Sequence, residues 1–190
     1  MNSVQIQRSI ALLAAVVALG TPRPSLALET GADAPSCSLT ALEPPSPTSL
    51  APGPGEGLLL VDFWASWCPS CAHSFEFLNH LERDLGDRGL RILGVSVDED
   101  LADARDFLAR HPARFGVSAD PSGACPRAFE VQGMPAAYLV DGSGRVRAVT
   151  SGFREGEARE LRTLIESLLP SGVRPPAAVS AATPAGAGRE

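Results

Sequence analysis

The stretch Cys68-Pro69-Ser70-Cys71 limits this chain more than any other. An apolar run, Leu58 to Val61, leads through Asp62-Phe63-Trp64-Ala65-Ser66-Trp67 into it, and an amphipathic run follows. The pattern predicts a buried strand, a sharp turn and a helix whose first turn carries both sulfurs. Pro69 suits the first helical position, where a missing N–H costs nothing. The unpaired N–H groups and the positive end of the helix dipole then face Cys68. They favour its thiolate, the reactive form in disulfide exchange. Cys71, one turn on, is near enough to close a small ring with Cys68. Two other uses of C-x-x-C fit poorly. A zinc site needs a second ligand pair, and none is spaced that way. A haem attachment needs His after the second Cys, where Ala72 stands. A redox-active Cys68–Cys71 disulfide, with no cofactor and no metal, is the expectation.

W-C-x-x-C after a D-F-W-A strand resembles the thioredoxin superfamily. Gly31-Ala32-Asp33-Ala34-Pro35, then Ser38-Leu39, resembles the opening of its TlpA/ResA-like branch, with Cys37 where that pattern has Phe. The resemblance covers roughly Gly31 to Leu169. It implies an α/β three-layer thioredoxin fold: a mixed central sheet with helices on both faces, an added N-terminal strand and an inserted strand–helix–strand unit. It implies an exported reductase of protein disulfides, tied to cytochrome c maturation or cytochrome oxidase assembly. Its partners would be apocytochrome c or a copper-site assembly protein, with electrons from a membrane thiol transporter. It also implies a cis bond at Met134-Pro135 facing the C-x-x-C, with Trp64, Trp67 and Met134 shaping the substrate surface.

The rest of the sequence fits around this. A net charge of -6 argues against a nucleic-acid partner. All 16 basic residues are Arg, so Schiff-base chemistry and a P-loop lysine are excluded. Residues 1–27 read as a signal peptide: Arg8 precedes the apolar run Ile10 to Leu19, and Ser25-Leu26-Ala27 offers a cleavage site. Periplasmic export from a Gram-negative bacterium is the expectation, with an uncleaved membrane anchor as the competing reading. Residues 28–169 read as the domain and 170–190, rich in Pro, Ala and Gly, as a disordered tail. Glu43 to Gly57 reads as a solvated loop.

Within the domain, Phe75, Leu78, Leu81 and Leu85 recur at helical spacing after Cys71. Arg91 to Val97 reads as a strand, Leu101 to Arg110 as a helix, and Phe115 to Val117 as a short strand. Asp98-Glu99-Asp100 reads as the acidic start of that helix, not a cation site. Ser122 to Phe129 reads as a short helix, Ala136 to Thr150 as a hairpin, and Ala158 to Leu168 as a last helix.

Three departures from the branch pattern set further expectations. Asp62 and Ser74 stand where the branch often has Asn and Glu. Asp62, buried with a raised pKa, is expected to accept the Cys71 proton, against the plainer role of a capped structural Asp. Glu76 stands where the branch usually has Pro, so the helix should run on without a kink. Cys37 and Cys125 remain an even pair in an exported chain, and a structural bridge between them is expected. The alternative is a lone buried Cys37 acting as a small hydrophobe. The direction of exchange stays open: a dithiol oxidase, or a Cu(I) chaperone using Cys68, Cys71 and Met134 or His73, uses the same residues.

Overall fold

Every residue of Leu58–Trp64 is buried, which places this strand inside a sheet covered on both faces. The computed structural model describes residues 28–42, 50 and 57–170. The expected signal peptide, most of the Glu43–Gly57 loop and residues 171–190 of the expected tail lie outside the described residues. In chain order the elements are β1 (Thr40–Ala41), β2 (Leu58–Trp64), α1 (Pro69–Leu85), β3 (Leu90–Ser96), α2 (Leu101–Arg110), β4 (Gly116–Ala119), α3 (Ala124–Ala128), β5 (Ala136–Val140), β6 (Val146–Ser151) and α4 (Glu155–Leu168). The sheet order is β1-β4-β3-β2-β5-β6. The β2–β3 and β3–β4 pairs are parallel; β1–β4, β2–β5 and β5–β6 are antiparallel. Among the described residues no helix is long and apolar enough to cross a membrane.

Alternation along β2 divides the core. Leu58, Leu60 and Trp64 join one cluster with Phe75, Leu78, Leu81 and Leu85 of α1, Phe107 of α2 and Leu161 and Ile165 of α4. Leu59, Val61 and Phe63 join a second with Phe129, Tyr138 and Val146. Helices thus lie on both faces. α1 runs unbroken through Glu76, as a helix without an interior proline should. It closes through a 3-10 turn at Gly86–Arg88 into Gly89, whose φ of 105° only glycine adopts freely.

The added N-terminal strand has two residues, and the segment leading to it does more. Gly31 and Ala34 donate backbone N–H bonds to Val146 and Gly144 beside β6. The chain then crosses the second core, packing Ala34, Cys37 and Leu39 on it. It reaches the opposite edge as the two-residue β1, paired with β4. The physical reason is coverage. α3 has five residues and cannot shield that face, so the N-terminal segment straps across it.

Candidate active site

β2 delivers the site. At its end, the turn Ala65–Cys68 is closed by the Cys68 N–H donating to the Ala65 carbonyl at 3.2 Å. Cys68 is the N-cap of α1 in extended conformation, and Pro69 is the first helical residue. No side chain caps this helix start and no acid lies in its first turn. Pro69 has no N–H and the Cys71 N–H goes to the Cys68 carbonyl at 3.2 Å, so the Ser70 N–H and the helix dipole are what is left to the sulfur. Cys68 and Cys71 form a disulfide with Cα atoms 5.4 Å apart. Ser70 Oγ lies 3.6 Å from Cys68 Sγ, close enough to donate to a thiolate there.

Trp67 projects beside the disulfide, 67% exposed, the one large hydrophobic side chain so exposed among the described residues. Trp64 does not share that surface. It is fully buried against Phe75 and Phe107, with ring centroids 5.1 and 4.9 Å away. The expectation that Trp64 contacts substrate is corrected: its place in β2 points it into the first core, where it supports the site from beneath. A Cβ on Gly94 would lie 3.1 Å from Trp64 Nε1, so glycine leaves the indole its room.

Asp62 also faces the first core, 2% exposed. Ser74 Oγ donates a hydrogen bond to its carboxyl at 3.4 Å. Burial pushes its carboxyl up to about 8, and the Ser74 hydroxyl only partly offsets this. A cavity of about 30 Å³, roomy enough for a water molecule, is lined by Asp62, Ser74 and Pro135 and reaches Gly152, Arg154 and Glu157. The Met134–Pro135 bond is cis. Met134 packs against the cluster that holds Cys68 and Cys71. C-x-x-C, buried acid and proline thus converge on one end of the sheet. His73 and His80 lie exposed on α1.

Cys37 and Cys125 form the second disulfide, joining the N-terminal strap to α3. Two buried acids were not legible as site residues. Asp120 accepts from the Cys125 N–H and from Ser122. Asp98, expected only as part of a helix start, instead turns back to Ser66; Asp100 is the actual cap of α2, accepting from the Ala102 N–H at 2.8 Å. The Asp98–Ser66 contact spans 32 residues, and no local spacing signals it.

A sulfur pair at a helix start, a cis proline at the same end of the sheet and this sheet order define a thioredoxin-like thiol-disulfide oxidoreductase. The sequence model of the Redoxin family matches residues 29–165, and the chain belongs to that family, in its TlpA/ResA-like branch. It is 27% identical over 171 residues to the thiol-disulfide oxidoreductase ResA of Geobacillus thermodenitrificans, covering 87% of this chain and 96% of that one. It is 27% identical over 133 residues to ResA of Bacillus thuringiensis, covering 70% of this chain and 76% of that one. A crystal structure assigned to a thiol:disulfide interchange protein DsbE of Chlorobium tepidum superposes with a TM-score of 0.70 at 34% identity, covering 75% of this chain and 99% of that one.

Proposed function

We propose that the chain is an exported reductase of protein disulfides, acting in cytochrome c maturation or cytochrome oxidase assembly. The observation that carries this is the Cys68–Cys71 disulfide at a helix start that nothing else caps, above a buried acid. In the reduced protein, Cys68 thiolate attacks one sulfur of a substrate disulfide. A mixed disulfide forms and the other substrate sulfur leaves as thiolate. In the ionised fraction of Asp62, about one molecule in ten at pH 7, Cys71 gives its proton to Asp62 and attacks Cys68 Sγ. The second substrate sulfur leaves, and Cys68–Cys71 closes. Two electrons have passed to the substrate. A carboxyl raised to about 8 suits this step, because its basicity approaches that of a thiol at about 8.5. The exposed Trp67, next to Cys68 in the chain, and Met134, next to the cis proline, would receive the substrate segment. A membrane thiol transporter would return the dithiol to its reduced form.

The test uses a synthetic peptide disulfide of C-x-x-C-H sequence, the haem-attachment pattern of apocytochrome c, beside an oxidised peptide lacking the His. The reduced protein should convert the first to dithiol, faster than the second, with one protein disulfide formed per peptide. Net oxidation of the reduced peptide by the oxidised protein would make it a dithiol oxidase. Tight Cu(I) binding in competition with a chelator, without peptide turnover, would make it a copper chaperone.

A further inference from the structure

Trp64 pairs with Ser96 at the C-terminal ends of β2 and β3, and the Val97 N–H still reaches the Trp64 carbonyl at 3.0 Å. Beyond that point the two chains part, one toward the sulfurs and the other toward α2. Asp98 spans the gap. It is 4% exposed, and its carboxylate accepts the Ser66 N–H at 3.2 and 3.0 Å, the Ser66 hydroxyl at 2.8 Å and the Ser96 hydroxyl at 2.8 Å. Its own N–H donates to Ser96 Oγ at 3.0 Å, so the acid is itself held. Ser66 is the second residue of the turn that sets Cys68 at the helix start and Trp67 on the surface.

We propose that Asp98 is the positioning residue of the active-site turn, keeping it ordered whether the disulfide is open or closed. The inference rests on the redox reading of Cys68 and Cys71. Charge-assisted hydrogen bonds to a buried carboxylate are the strong kind, and three donors converge on this one. With the turn already ordered, closing the ring requires little more than bringing Cys71 to Cys68, and the effective molarity of the two thiols is high. Without the brace, ring closure must itself order the turn. Fixing even one backbone residue is worth about tenfold in an equilibrium constant.

The experiment is the thiol–disulfide equilibrium of the full chain against dithiothreitol, with melting temperature measured alongside. Asp98→Ala should weaken Cys68–Cys71 disulfide formation about tenfold, raising the potential by about 30 mV. Asp98→Asn should recover most of the loss. Its amide oxygen still accepts the Ser66 N–H, and the serine hydroxyls can rotate to accept from its NH₂. Ser66→Ala, which keeps the backbone bond, should weaken formation about threefold. A merely structural acid would lower the melting temperature and leave the equilibrium in place; an unmoved equilibrium in Asp98→Ala and Ser66→Ala overturns the proposal. If Asp98→Ala does not fold, Ser66→Ala decides alone. A wild-type protein whose Cys68–Cys71 pair fails to exchange at all would instead overturn the redox reading.

Discussion

Cys68–Cys71 and Cys37–Cys125 span almost the same backbone distance, 5.4 and 5.5 Å between Cα atoms, and each pair has a cysteine at the start of a helix. Their surroundings differ. Neither α1 nor α3 has an N-cap side-chain bond or an acid in its first turn, so the difference lies in what reaches each start from elsewhere in the chain. The α3 start is taken: the Asp120 carboxylate accepts the Cys125 N–H and sets a negative charge where a thiolate would form. One pair has a buried carboxyl raised to about 8 beneath it, while the other lies against Leu39 and Phe129. The first closes a ring across three residues and the second ties positions 88 residues apart. Exposure does not sort them, since Cys37 is partly exposed and Cys68 only 4%. What separates a reactive sulfur from a structural one here is the helix start it occupies and the acid it faces.

The contrast breaks most sharply by removing each pair in turn. Cys68→Ser should abolish turnover of a disulfide peptide. Cys37→Ser with Cys125→Ser should leave kcat within about twofold while lowering stability by about 4.6 kcal/mol, the chain-entropy value for a loop closed across 88 residues. Urea unfolding and peptide turnover, run on the same samples, check both.

Asp62→Asn comes next. Resolution of the mixed disulfide should slow about a hundredfold at pH 8 and above, where Asp62 is ionised and can take a proton, and by less at pH 7, where it is mostly protonated, while attack by Cys68 changes little. Rapid-quench trapping separates the two steps. Stability should move the other way. The folded chain holds the Asp62 proton up to about pH 8, whereas an unfolded Asp releases it near 3.8, so stability is lost as pH rises across that window. Asp62→Asn should therefore raise the melting temperature relative to wild type, by more at pH 8 than at pH 5. A difference that shrinks with pH would show that Asp62 is not held protonated.

Asp120→Asn sharpens the comparison from the other side. With the charge removed from the α3 start, Cys37–Cys125 should be reduced several-fold faster by dithiothreitol, with thiolate at Cys125 no longer opposed. The smallest effect belongs to Ser70→Ala. Loss of a hydroxyl 3.6 Å from Cys68 Sγ should slow alkylation of reduced Cys68 near pH 7 a few-fold.

The fold and the reactive pair were legible because their signals are local. An apolar strand, a proline at the first helical position and a C-x-x-C are read within a dozen residues, and periodicity places α1 and α4. What was not legible depends on contacts across the chain. Trp64 and Trp67 look alike in sequence, yet strand alternation buries one and the turn exposes the other. Asp98 and Asp100 sit in one acidic run, and only the fold gives Asp100 to the α2 start and Asp98 to Ser66.

The central claim is that surroundings, not the bond itself, make one pair the redox couple. A site-resolved titration tests it directly: equilibrate the protein across a dithiothreitol series, trap thiols by alkylation, and locate the labels by peptide mass. The account predicts that Cys68 and Cys71 label together at a potential within about -270 to -120 mV, while Cys37 and Cys125 stay unlabelled until below about -300 mV. Labelling of Cys37 and Cys125 at the same potential as Cys68 and Cys71, or before them, would contradict it.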